Sequence, residues 1–176
     1  LEADAGKVSV LGQDLAALSS SARDRMRADH LGVIFQMFNL VPYLSVVGNV
    51  TLPLKFSAAR RKAVGGSADA EARRLLGRLG LTDDAMLDRR VSDLSVGQQQ
   101  RVAAARALIG APEIVIADEP TAARAADARD RFLALLSEEA ARTGAALLFV
   151  SHDASLARLF DRAVDLIEIN RAGATA

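Results

Sequence analysis

Glu113-Ile114-Val115-Ile116-Ala117-Asp118-Glu119-Pro120-Thr121 is the stretch on which the fold turns. Its first half, Glu113 to Ala117, is strand-sized, and Ile114 to Ala117 is apolar throughout, as a strand covered by helices on both faces should be. Its second half sets two adjacent carboxylates at the strand's mouth. The pattern returns downstream, where Ala146-Leu147-Leu148-Phe149-Val150 leads into Ser151-His152-Asp153. Between the two runs, about Asp127 to Thr143 reads as a helix. After them, Ala154 to Phe160 reads as a helix and Ala163 to Ile169 as a strand. This alternation predicts an α/β fold with a mostly parallel sheet, whose function gathers at the C-terminal ends of the strands.

Working back toward the start, Val102, Ala105, Leu108 and Ile109 share one side of a predicted helix from Gly97 to about Ile109, with Pro112 just past its end. Ala72, Leu75, Leu76 and Leu79 recur at helical spacing, and Gly80 stands where that helix would be capped. Ala58 to Ser67 is basic and then Gly-rich, the composition of an exposed connection. Leu31 to Phe35 is a short apolar run ending at Gln36. The segment after it is broken by Pro42, Gly48 and Pro53 and cannot be one regular element. Lys7 to Leu11 alternates polar and apolar ahead of the turn Gly12-Gln13-Asp14, which predicts an antiparallel outer hairpin strand.

The chain has 176 residues and 51% hydrophobic content, which fits one core of ordinary size. Lys plus Arg and Asp plus Glu both total 22, so the formal charge is zero and there is no electrostatic footprint for nucleic acid. No nucleic-acid partner is expected. The sequence contains no cysteine, which excludes disulfides and thiolate metal sites. No apolar run reaches bilayer-spanning length, so any membrane is crossed by a partner. Leu1-Glu2-Ala3-Asp4-Ala5-Gly6 reads as the exit from an earlier element, and the expectation is an N-terminally truncated chain.

Asp118 and Glu119 suit metal-assisted phosphate chemistry: one carboxylate holds a magnesium ion, usually through water, and the next orients the attacking water. Taken alone the pair reads equally well as an acidic turn. His152 stands at the same sheet edge, where an imidazole can hydrogen-bond a terminal phosphate and stabilise charge as the bond breaks, although a lone histidine is more often structural. Leu94-Ser95-Val96-Gly97-Gln98-Gln99-Gln100-Arg101 opens a helix with a hydroxyl, a glycine and free amides, the makings of an anion site. Ser95 by itself is a capping serine. Gln36 by itself is a solvated residue leaving a strand.

The four stretches together resemble the ATP-binding subunits of ABC transporters. Leu94 to Arg101 is similar to the signature motif, Ile114 to Thr121 to the Walker B segment, Ser151-His152-Asp153 to the switch-histidine loop and Ile34 to Asn39 to the Q-loop, in the family's order and over the whole chain. Phe35-Gln36-Met37-Phe38-Asn39-Leu40-Val41-Pro42 and Glu119-Pro120-Thr121 look most like the branch serving lipoprotein release, macrolide-type export and related permeases.

The resemblance implies a P-loop NTPase-like nucleotide-binding domain with a helical subdomain at about 38–92. It implies ATP and Mg2+ as ligands, Asp118 as the magnesium-site carboxylate, Glu119 as the residue that polarises water and His152 as the contact to the γ-phosphate. Gln36 would sense the metal and the attacking water. Ser95, Val96, Gly97 and Gln98 would reach the nucleotide of a second, facing subunit, the whole lying peripherally on the cytoplasmic face of the bacterial inner membrane against a membrane-spanning permease.

The sequence departs from the pattern in three places. No G-x-x-x-x-G-K-[ST] occurs in it, so the first phosphate-loop βα unit is expected to be absent and the chain to hydrolyse ATP poorly by itself. Val96 replaces a usual glycine. Ala122-Ala123-Arg124-Ala125 follows Thr121, with Ala125 where the family commonly has an aspartate. The alternatives are a non-hydrolytic interaction module and an importer-type ATPase.

Overall fold

The computed structural model describes residues 5–120 and 126–170. Thr121 and Ala125, singled out in the sequence, lie outside the described residues.

The early alternation folds as a small antiparallel hairpin of β1 (Ser9–Val10) and β2 (Gln13–Asp14). Its two-residue turn puts Leu11 at φ +50 and Gly12 at φ +76, the doubly left-handed turn that matches strand twist. Ser19 then caps α1 (Ser20–His30), which runs straight into β3 (Leu31–Ile34). Nothing in the sequence expectations corresponds to α1, because its only buried side chain is Met26 and it carries no apolar stripe to read.

Beyond β3 come a turn-rich segment, α2 (Val46–Thr51), a 3-10 turn at Leu52–Lys55, α3 (Ala58–Val64), α4 (Ala68–Arg78) and the single turn α5 (Asp84–Leu87). All of α3 lies where an exposed connection was expected. Its Arg60 is not a solvated cation: it is buried, and its guanidinium donates to the Ala107 carbonyl at 2.6 Å. The Ser57 hydroxyl caps the helix and donates to Asp29 at 2.5 Å, while Gly65 ends it at φ +68. One buried basic side chain thus turns a polar run into a packed element. The helix expected around Ala72 to Leu79 is α4, closed as anticipated by Gly80 at φ +82.

The signature stretch opens α6 (Val96–Leu108), followed by β4 (Ile114–Asp118), α7 (Ala126–Thr143) and β5 (Ala146–Val150). A 3-10 segment, Ala154–Leu159, stands where a helix was expected, and the last described element is α8 (Leu166–Ile169). The strand expected at Ala163 to Ile169 is therefore corrected to one exposed helical turn. Asp165 caps it by accepting from the Ile167 amide at 2.9 Å, and Ile167 is 85% exposed. A strand needs an edge to pair with, and among the described residues no strand lies beside this segment.

The sheet is parallel in the order β3-β4-β5, with Gly32, Val115 and Leu147 in register, as are Ile34, Ala117 and Phe149. These two rows form one face, packed beneath α6 and α7. The approach of α6 is close: a Cβ on Gly32 would stand 2.2 Å from the Ala107 carbonyl oxygen. Ala103, Ala104 and Ala105 on α6 are wholly buried, and their small side chains let backbone approach backbone. The second face, expected to be helix-covered, opens toward β5, where Leu148 is 56% and Val150 47% exposed. No helix among the described residues is long and apolar enough to cross a membrane.

Candidate active site at the strand ends

Parallel pairing delivers the carboxylates and the histidine to one edge. Asp118 is in register with Val150, so Glu119 and Ser151-His152 leave adjacent strands at the same level, and the Glu119 amide donates to the Val150 carbonyl at 3.0 Å. Glu119 takes left-handed backbone at φ +42, an arrangement that costs a non-glycine residue on the order of 1 kcal/mol and turns its side chain off the strand direction. The carboxylate is then fixed on one oxygen. Glu119 Oε1 accepts from the His152 amide at 2.8 Å and lies 2.7 Å from His152 Nδ1.

That contact assigns a proton to Nδ1, which leaves Nε2 outward on a ring that is 87% exposed. Glu119 is 19% exposed. A partly sheltered base and an outward imidazole at one edge can order a water molecule and meet an anionic group beyond it. Behind His152, the Asp153 carboxyl is held below the ordinary carboxylate range, first by the Ser155 hydroxyl and amide and then by Arg129.

Gln36 leaves β3 two residues after Ile34, which is in register with Ala117, so the expected glutamine joins the carboxylates and histidine at the same edge. Its side chain is exposed. The residues that follow are clamped. Phe38 and Asn39 are left-handed at φ +59 and +48, and Arg106 on α6 donates to both their carbonyls. Asn49, buried in α2, accepts from the Val41 amide at 2.7 Å and donates to the Val41 carbonyl at 3.0 Å. Sequence reading missed Arg106 and Asn49. A polar residue inside an apolar helical stretch, as Asn49 is in Val46-Val47-Gly48-Asn49-Val50, is the signal that was available.

Ser95 and Gln98 form a reciprocal capping box. The Ser95 hydroxyl accepts from the Gln98 amide at 3.4 Å, and the Gln98 side chain accepts from the Ser95 amide at 2.8 Å. The capping role is therefore real, and no hydrogen bond joins this turn to the carboxylate edge among the described residues. Ser95, Val96 and Gly97 are exposed. A Cβ on Gly97 would meet nothing within 4 Å, so nothing inside the chain requires glycine there.

No group of three or more His, Asp or Glu side chains able to hold a metal occurs among the described residues. An all-protein metal cage does not fit. A magnesium ion carried mainly by phosphate oxygens and water, touching one or two carboxylates, fits Asp118 at the exposed end of β4.

A parallel α/β sheet with carboxylates, a histidine and a glutamine gathered at its C-terminal edge defines a protein of the α/β class with its candidate site where that class places ligands. Comparison narrows this: residues 1–122 match the family described as ABC transporter, and the chain belongs to that family. The lipoprotein-releasing system ATP-binding protein LolD of Anaeromyxobacter dehalogenans (strain 2CP-C) is 44% identical over 163 residues, covering 93% of this chain and 66% of that protein. The macrolide export ATP-binding/permease protein MacB of Escherichia coli is 40% identical over 157 residues, covering 89% of this chain and 23% of that protein. The chain thus spans just under two thirds of the first relative and about a quarter of the second. Among solved structures, a dimeric ATP-binding cassette in a post-hydrolysis state bound to ADP and Pi matches with a TM-score of 0.75. It is 32% identical, and the match covers 88% of this chain and 66% of that one. The expected branch, lipoprotein release and macrolide export, is the one these relatives represent.

Proposed function

We propose that the chain is the ATP-hydrolysing engine of a bacterial lipoprotein-release or export-type transporter, acting at the cytoplasmic face of the inner membrane. The observation that carries this is the Glu119 carboxylate, sheltered and held by His152 through two contacts at the mouth of β4. Glu119 orients the attacking water and accepts its proton. His152 keeps Glu119 on Nδ1 and turns Nε2 toward the terminal phosphate. Asp118 and Gln36 would hold a magnesium ion, which would supply charge neutralisation to the phosphates. Ser95, Val96, Gly97 and Gln98 serve a nucleotide presented by a second copy, which accounts for the open space over Gly97.

The segment from about 38 to 92 is read as the helical subdomain that meets the membrane-spanning permease. A cavity of about 380 Å3 lies where it adjoins the sheet, lined by Phe35, Pro53, Phe56 and Arg60 among others, and Phe56 is 74% exposed beside it.

The test is ATP turnover by the protein bearing this chain. Glu119→Gln is expected to lower Mg2+-dependent hydrolysis by about 100-fold or more while leaving nucleotide binding in place. Hydrolysis unchanged in that variant would remove Glu119 from the mechanism. A second reading has its own observation, since no G-x-x-x-x-G-K-[ST] run occurs in the 176 residues. Without such a loop supplied in the assembly the chain acts as a non-hydrolytic interaction module, and the same assay then finds no turnover with any variant.

A further inference from the structure

Two consecutive non-glycine residues in left-handed backbone, Phe38 and Asn39, follow Gln36 after one intervening residue. That conformation costs on the order of 1 kcal/mol per residue, and a phenylalanine rarely adopts it unaided. Local bonds supply part of the support: the Phe38 amide donates to the Phe35 carbonyl at 2.9 Å, and the Asn39 amide to the Met37 carbonyl at 2.7 Å. The Phe38 ring adds burial, at 6% exposure.

The remaining support comes from 67 residues away. The two terminal nitrogens of Arg106 donate separately, one to the Asn39 carbonyl at 2.7 Å and the other to the Phe38 carbonyl at 2.5 Å. A planar guanidinium matches two successive carbonyls, whereas an ammonium satisfies them one at a time. Burial holds the Arg106 guanidinium below its ordinary value. Among the described residues its hydrogen bonds go to backbone alone. It also belongs to the helix whose first turn carries Ser95 and Gln98.

We propose that Arg106 is a positioning residue of the ATPase site: its fork holds the Phe38–Asn39 elbow, the elbow sets where Gln36 stands beside Asp118 and Glu119, and the whole is tied to the signature helix. The proposal deepens the hydrolytic reading and rests on it for its kinetic consequence, while the elbow itself can be read without nucleotide.

Two measurements on the protein bearing this chain decide it. In Arg106→Lys, hydrogen exchange at the amides of residues 38–41 should rise about 10-fold or more, with exchange in β4 and β5 unchanged. In turnover, the same substitution should lower kcat about 10-fold with the KM for ATP kept within about 2-fold, and the loss should vanish in a Gln36→Ala background because both act on one step. Asn39→Pro attacks the elbow from its exposed side, without opening the packing under α6, and should reproduce both effects. Unchanged exchange in Arg106→Lys and Asn39→Pro overturns the proposal whether or not ATP is hydrolysed. So does a kcat loss that simply adds to that of Gln36→Ala. Absence of turnover in the unsubstituted protein counts against the hydrolytic reading only, and hydrogen exchange alone then decides whether Arg106 holds the elbow.

Discussion

At Gly32 a methyl group has nowhere to go, since its carbon would fall 2.2 Å from the Ala107 backbone oxygen and a carbonyl cannot step aside. Gly32→Ala is expected to destabilise the chain by about 3 kcal/mol or more, read as a lowered urea midpoint, because α6 must lift off the sheet. Glu139 gives a second prediction, with a sign that follows from its partners. Burial raises its proton affinity, but hydrogen bonds from Arg142 and Arg74 outweigh this and hold the carboxyl below its ordinary value of 4.5. A depressed value means the interaction stabilises the fold fully above that ordinary value and is lost as pH falls through the folded one. Glu139→Gln should therefore cost about 2 kcal/mol at neutral pH, discounted for the partly exposed arginines, and progressively less toward pH 3. A cost that stayed constant with pH would show the charge to be irrelevant. Glu119 and His152 were legible because each ends a strand whose character is written locally. Arg106 was not, because what it touches is two carbonyls that come within reach only once the chain has folded.

Elements follow the same division. The signature helix announced itself through its caps, and Ser95→Ala should remove about 1 kcal/mol of stability through the lost capping box. A midpoint unmoved by that change would mean the box contributes nothing. The helix α1 was illegible for want of an apolar stripe, and α3 because its buried contacts are polar, through Arg60 and Ser57, with Val64 only partly buried against the core. Burial pushes the Arg60 guanidinium down to about 10 against the pull of Glu113 and Asp29, a measure of how far this basic run is from solvent. The final strand failed for another reason. Apolar content at Leu166–Ile169 says that a segment seeks company, and only a neighbouring edge decides whether it becomes a strand.

For the molecule as a whole, the alternation of apolar runs and helical spacing was enough to specify parallel pairing and the edge at which chemistry gathers. The expected absence of the phosphate-loop βα unit also implied exposed apolar sheet. Among the described residues, Leu148 and Val150 project from the second face of β5. Such a surface favours self-association, so Leu148→Lys should lower the apparent mass seen by light scattering at high concentration and leave the far-UV spectrum unchanged. An unaltered mass would place any association elsewhere. The empty space over Gly97 has a practical side as well. In a chain without a single cysteine, a thiol introduced there would be the sole attachment point for a bulky label, one its own fold leaves room for but which would stand where the facing copy's nucleotide is proposed to lie. Turnover lost on labelling would mark this turn as a contact surface, and turnover kept would leave it bare.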